Sequence, residues 1–280
     1  MAEPNHDQSL SLLRWLIDAG ANEAIVEAPV NRFAISPRAA VPASERVSAA
    51  ARGVRGELFP RDATAKKSAA QAVSLSTAPG AARALAQSCT TLAELKAALA
   101  NFDGCELKRS ATNTVFADGT PSGRVMLIGE APGRDEDLQG LPFVGRAGKL
   151  LDRMLGAIGL DRTKVYITNV LNWRPPQNRE PTPEEAATCL PFLHRHIELA
   201  DPELLILLGA VSVRHVLGIN EGILRLRGRW DLYQSATLNR AIPVMPTLHP
   251  AYLLRQPGAK RLAWRDLVAV AEKISQLGLA

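Results

Sequence analysis

The chain has 280 residues, 46% of them apolar and 22% charged, with a net charge of +5 and a mean hydropathy of −0.03. That is enough for one sizeable domain plus an appendage or for two modest domains, and the composition excludes a disordered or fibrous chain. No apolar run approaches the roughly 20 residues of a membrane helix, and three widely spaced cysteines, Cys89, Cys105 and Cys189, do not make a disulfide framework.

The N-terminus carries Glu3, Asp7 and Asp18 and has no basic start followed by an apolar core, so no secretory signal is expected and a reducing, cytoplasmic setting is. Residues 8–26 have helical apolar spacing ended by Gly20. From 39 to 86 a third of the residues are alanine and few are large and apolar, which predicts a poorly ordered or loosely helical linker. Thr91 and Glu94 then form a cap-like start to a helix running to about Asn101. The expected division is an extension over 1–90 and a folded domain over 91–280.

Beyond residue 120 strand and helix alternate. The runs Arg124–Gly129, Lys164–Val170, Leu204–Gly209 and Ile242–Thr247 predict strands, and helical patterns follow at about 147–158, 183–199, 210–217 and 259–275. Thr182, Pro183 and Glu185 mark the second helix start as N-cap, first helical residue and capping-box acid. The predicted fold is a three-layer α/β/α sandwich around a central four-stranded parallel sheet.

Open parallel sheets bind ligands outside the carboxyl ends of their strands, and the unusual sequence falls there. Glu130 and Glu136 lie six apart, separated by Pro132 and Gly133. This acidic turn repels phosphate and suits a reaction passing through a cation or needing an oriented water; a solvated surface turn is the plainer alternative. Phe143, flanked by glycines, is either a core residue or a platform for a planar ring. Asn169 ends an apolar strand with an amide able to match a base edge, or to cap the next loop. His249 could donate to an oxygen gaining negative charge, or be structural. The apolar residues of Pro250–Arg255, beside arginines, are of the kind that wedge into a DNA stack. Between 222 and 265 eight basic residues face Asp231 alone, consistent with a polyanion partner or a solvated basic face. His194, His196 and Cys189 suggest a metal at first sight, but 194 and 196 face apart on a helix, so no metal is expected there.

The stretches GEAPGRDED (129–137), GLPFVGRAGKLL (140–151), ITNVLNWRPPQNREPTPEE (167–185) and HPAYLLR (249–255) together resemble the uracil-DNA glycosylase superfamily, family 4 most closely. The resemblance implies hydrolysis of the N-glycosidic bond of deoxyuridine in DNA by a monofunctional, monomeric enzyme that begins base excision repair. It assigns catalysis to Glu130, Glu136, Asn178 and His249. Ala131, Pro132, Gly133, Phe143, Asn169 and Arg174 would bind the base, and Pro250, Ala251, Tyr252, Leu253, Leu254 and Arg255 would penetrate the duplex. Ala131 stands where other members hold an aspartate, so water activation falls to the glutamates or Asn178. A non-catalytic binder of uracil or abasic DNA, or a glycosylase for another deaminated base, are the alternatives.

Family 4 members typically hold a four-iron, four-sulfur cluster on four cysteines. Here Cys105 and Cys189 match two of those positions and Phe102 and Trp173 stand at the others, so the expectation is no cofactor, with the two rings packing in the cluster's volume. The basic insertion of a related group that bonds covalently to DNA is absent between Asn178 and Pro181, which implies turnover.

Overall fold

The computed structural model describes residues 78–235 and 237–279. The predicted helix at 8–26 and the predicted linker up to residue 77 lie outside the described residues.

Chain segments that are apolar throughout become strands covered on both faces. β2 (Val125–Gly129), β3 (Val165–Asn169) and β4 (Leu204–Leu208) are buried along their whole length, and β6 (Ile242–Thr247) at every position but Pro243. These four are mutually parallel, as the sequence predicts, and stand in the order β3-β2-β4-β6. The sheet nevertheless has six strands. Two short antiparallel ones, β1 (Asp118–Gly119) beside β3 and β5 (Asp231–Tyr233) beside β6, close its edges. At two and three residues they are too short to show any periodicity in sequence.

Alternate residues divide the core into two layers. Met126, Ile128, Leu205, Leu207 and Val244 pack with α2 (Leu92–Asn101), α6 (Pro183–Ala200) and α7 (Ala210–Leu217). Val125, Leu127, Leu204, Ile206 and Met245 pack with α5 (Arg146–Gly156) and α10 (Lys260–Gln276). This is the expected three-layer sandwich. Short helices α3 (Leu107–Ser110), α4 (Arg134–Gln139), α8 (Ile223–Leu226) and α9 (Pro250–Arg255) occupy connections.

The caps read from sequence hold. Thr91 Oγ1 accepts the Glu94 N–H at 3.1 Å. Thr182 Oγ1 accepts from Glu185 N at 3.2 Å while the Glu185 carboxylate accepts from Thr182 N at 2.8 Å. The alanine-rich stretch is different at its end. Residues 78–88 form a helix, α1, that buries Ala82 and Ala86 in the α2–α6 layer. Alanine spacing there is a close-packing face, not a sign of poor order, so the core-forming chain includes at least residues 78–90 of the predicted extension. Among the described residues no helix is long and apolar enough to cross a membrane.

Candidate active site

The connection after β2 leads to β3 on one side and that after β4 leads to β6 on the other, so the carboxyl ends of the strands open at a topological switch point. A pocket of about 390 Å³ lies there. Residues 130–133, Glu136, Phe143, Asn169, Asn178, His249, Ala251 and Arg255 line it, which brings together three loops that are far apart in sequence.

Glu130 follows the last residue of β2, and its backbone oxygen accepts the Leu171 N–H at 3.0 Å. Burial raises its carboxyl pKa and Glu180 adds to the effect, with Arg214 and Arg255 opposing it. No hydrogen bond from a described residue contributes, so both oxygens remain available to a ligand or water.

Glu136 sits differently. Its Oε2 accepts the Gly133 N–H at 3.1 Å, and its Oε1 accepts from Val144 N at 3.0 Å and Gly145 N at 2.9 Å. The carboxylate ties the 130–133 turn to the start of α5, and its lone pairs are directed at backbone. The sequence could show two acids in one loop but not that one is committed to holding it.

Phe143 is placed by strain and close approach. Its backbone is left-handed, with φ 55°. Arg162 donates to the carbonyl oxygens of Pro142 and Phe143 from below and is itself held by Asp118 and Asp152. A Cβ on Gly148 would stand 1.6 Å from the Phe143 oxygen, and one on Gly129 would stand 2.3 Å from Asn169 Oδ1 and 2.5 Å from the Phe143 ring. Arg162 lies outside the sequence motifs, and the two glycines stand within them without any sign of this packing role. Gly148→Ala is therefore expected to destabilise the fold by roughly 3 kcal/mol, the upper end of overpacking costs, because the obstacle is backbone. Urea unfolding measures this, and an unchanged midpoint would show that the Phe143 turn moves freely.

Asn169 is 3% exposed, and its Oδ1 is buried without a hydrogen-bond partner among the described residues. A buried acceptor of this kind is ordinarily paired with protein, water or ligand. Asn169 is part of the pocket wall, and its Oδ1 lies toward Gly129, beside the Phe143 ring.

His249 caps α9. The Ala251 N–H can only donate, so Nδ1, 3.1 Å away, must be the acceptor and the ring proton resides on Nε2. Burial, with a smaller contribution from Arg255, lowers its pKa to about 4. The neutral ring lies 5.6 Å from the Phe143 ring, centroid to centroid, and leaves an N–H donor for the pocket. Because the folded pKa lies below the ordinary 6.5, protonation opposes folding. This contribution to stability is full above pH 6.5 and is lost as the pH falls toward 4.

Asn178 has φ 55°, and its Oδ1 accepts Arg174 Nε at 2.7 Å. Arg174, expected to bind the base, holds Asn178 at the pocket wall through this bond. The predicted penetrating loop needs correction. Pro250–Arg255 is a helix, favoured by Pro250 at its first position and the His249 cap. One face, Ala251 and Arg255, lines the pocket, whereas Leu253 is 1% exposed in a cluster with Met154 and Leu267, and Pro250 is also buried. Tyr252, Leu254 and Arg255 retain access to solvent.

The superfamily model described as uracil DNA glycosylase matches residues 116–268, more than half of the chain and every element around this pocket. The chain belongs to the uracil DNA glycosylase superfamily. It is 40% identical over 172 residues to the type-4 uracil-DNA glycosylase of Archaeoglobus fulgidus, covering 60% of this chain and 85% of that one. The type-4 enzyme of Thermotoga maritima is 42% identical over 177 residues, 62% of this chain and 90% of the relative. That of Sulfurisphaera tokodaii is 37% identical over 187 residues, 65% and 84%.

The iron–sulfur cluster implied by the resemblance does not fit the residues present. Cys105 and Cys189 are buried and adjacent, with Cys105 lowered and Cys189 raised in pKa chiefly by their mutual hydrogen bond. In the same core layer Trp173 is 1% exposed and donates its Nε1–H to Thr114 Oγ1 at 3.0 Å, while Phe102 meets Phe192 edge-on at 5.2 Å. Phe102 and Trp173, the positions where the resemblance would place the other two thiolates, are rings packed in this layer. Among the described residues no group of three or more His, Cys, Asp or Glu is placed to hold a metal ion. His194 and His196 are accounted for by hydrogen bonds to Tyr233 and Tyr166.

Proposed function

We propose that this protein is a monofunctional uracil-DNA glycosylase, acting as a monomer and without an iron–sulfur cluster, that hydrolyses the N-glycosidic bond of deoxyuridine in DNA to begin base excision repair. The observation that carries the proposal is a pocket walled by Asn169, whose buried Oδ1 has no partner among the described residues, together with a neutral imidazole donor and a carboxylate bonded to no described residue.

A base inside a duplex is out of reach, so it must be extruded, at a cost of a few kcal/mol, into such a pocket. Uracil offers N3–H beside O4, and the Asn169 amide offers the complementary acceptor and donor. Phe143 supplies the face on which the ring lies. As the glycosidic bond breaks, the electron pair goes to the base and the sugar becomes oxocarbenium-like. The His249 Nε2–H stabilises the negative charge on the departing uracil, and Glu130 stabilises the sugar cation and takes a proton from the attacking water. Asn178, held by Arg174, completes the pocket beside the water. The lining residues include no lysine, the amine a Schiff-base lyase step requires, which supports the monofunctional reading. The binder alternative has no use for a carboxylate left free of hydrogen bonds.

Because His249 is neutral down to about pH 4, uracil release measured in single turnover should show no inflection near pH 6.5. The fall on acidification is expected from Glu130, with its midpoint above the ordinary carboxylate value of 4.5. An inflection near 6.5 that disappears in His249→Gln would overturn the neutral-donor role.

The direct test is release of uracil from an oligonucleotide with one dU, followed by alkali. Strand cleavage only after alkali supports a monofunctional glycosylase, cleavage without it a lyase. Tight binding with no release moves the reading to a non-catalytic module. Stoichiometric iron and acid-labile sulfide in the pure protein would overturn the cluster-free part.

A further inference from the structure

A second concavity, of about 390 Å³, shares both α5 and α9 with the catalytic pocket. On α9, Ala251 and Arg255 face the pocket and Leu253, on the opposite side of the helix, floors this groove. On α5, Ala147 belongs to the pocket and Leu150 and Met154, one and two turns later, belong to the groove. Six residues of helix separate Ala147 from Arg153 at the groove's rim, about 9 Å at 1.5 Å per residue. That is the rise of two to three nucleotides, at about 3.4 Å each along a strand.

The lining chemistry is specific in kind. The floor is aliphatic, one wall is Trp264, 48% exposed despite its size, and the rim carries Arg153, Lys260 and Arg261 with no carboxylate. None of these three cations, nor the neighbouring Arg255 and Arg265, makes an ion pair with a described residue. In the same C-terminal stretch Arg227 and Arg240 are paired, with Asp266 and Asp201. An apolar protein segment would use the floor and leave the cations unanswered. A nucleotide uses both, its face on the tryptophan and its phosphates on the rim.

We propose that this groove takes a nucleobase of the substrate strand two or three nucleotides from the extruded uridine, stacked on Trp264, with the flanking phosphates held by Arg153, Lys260 and Arg261. The proposal rests on the reading of the adjoining pocket as the uracil site, and it adds a subsite that makes affinity depend on the length of strand beside the lesion.

The experiment compares single-stranded oligonucleotides carrying one dU, either full length or truncated to one nucleotide on the 5′ or the 3′ side. Truncation on one side only is expected to weaken wild-type binding about tenfold, the lower part of the range for one base–aromatic stack. Trp264→Ala should lose the same about tenfold on the full-length strand and nothing further on the truncated one, with Trp264→Phe retaining most of the affinity. Lys260→Ala with Arg261→Ala should reduce the slope of log K against log salt by about 1.4, at about 0.7 per phosphate on a single strand. Equal binding of wild type and Trp264→Ala to every oligonucleotide would overturn the proposal and leave the groove to an apolar peptide. Failure of the wild type to release uracil from any oligonucleotide would sink the glycosylase reading instead, since the subsite is read by binding alone. Should Trp264→Ala not fold, the phenylalanine variant and the salt slope carry the test.

Discussion

Glu130→Gln is expected to lower the single-turnover rate of uracil release by about 10²–10⁴-fold, the usual worth of a positioned general base. Binding to uracil-containing DNA should be unchanged, because glutamine keeps the size and removes only the charge and the basicity. The residual activity should also lose the acid limb, since the group whose carboxyl pKa is raised by burial is gone. The companion variant makes the result decisive. Glu136→Gln replaces an acceptor oxygen with an amide NH2 facing backbone N–H groups that can only donate. It should therefore lower the melting temperature, by the loss of charge-assisted hydrogen bonds worth about 1.5–3 kcal/mol, and loosen the Phe143 turn. If Glu136→Gln folds as the wild type and alone abolishes release, the water belongs to Glu136 and the assignment is reversed.

Asn169→Asp is expected to reduce uracil release by about 10⁴-fold, as for a site whose buried polar groups are left mismatched with the substrate. The aspartate accepts at both oxygens, so uracil O4 meets an acceptor where the amide offered N–H. The fold should persist, since Asn169 pairs with Gly129 across β2 and β3 through backbone and its Oδ1 has no internal partner to lose. The measurement is release in single turnover from DNA carrying uracil, hypoxanthine or xanthine at one position. Undiminished uracil release would mean that Asn169 does not read the base. Wild-type release of hypoxanthine faster than uracil would favour the other-base reading.

Much of this architecture was legible in one dimension. The four long strands, the helices that cover them and the caps at Thr91 and Thr182 depend on neighbours within a few residues, and such interactions leave a periodic or positional trace. The convergence of Glu130, Phe143, Asn169, Asn178 and His249 was also readable, because a parallel sheet puts the loops after its strands on one edge. The edge strands β1 and β5 left no such trace; pairing with a longer neighbour makes them strands. At the end of the alanine-rich run, residues 78–88, packing was not legible because composition reports how much a helix can bury, not how closely a small-residue face can approach a partner.

Residue types and their order were sufficient to identify the superfamily, the fold class and the residues that meet at the site, since these follow from short-range patterning and from strand polarity. The division of labour among those residues was not contained in that order. Glu136 differs from Glu130 because its carboxylate faces three backbone donors and that of Glu130 none among the described residues, and Leu253 differs from Arg255 because a helix turns them to opposite sides. The tautomer of His249 is set by the N–H of Ala251, and the Phe143 turn is set by Gly148 beneath it and by the distant Arg162. Burial and hydrogen-bond partners belong to the folded chain as a whole, so the chemical state of each group at this site is a property of the packing around it.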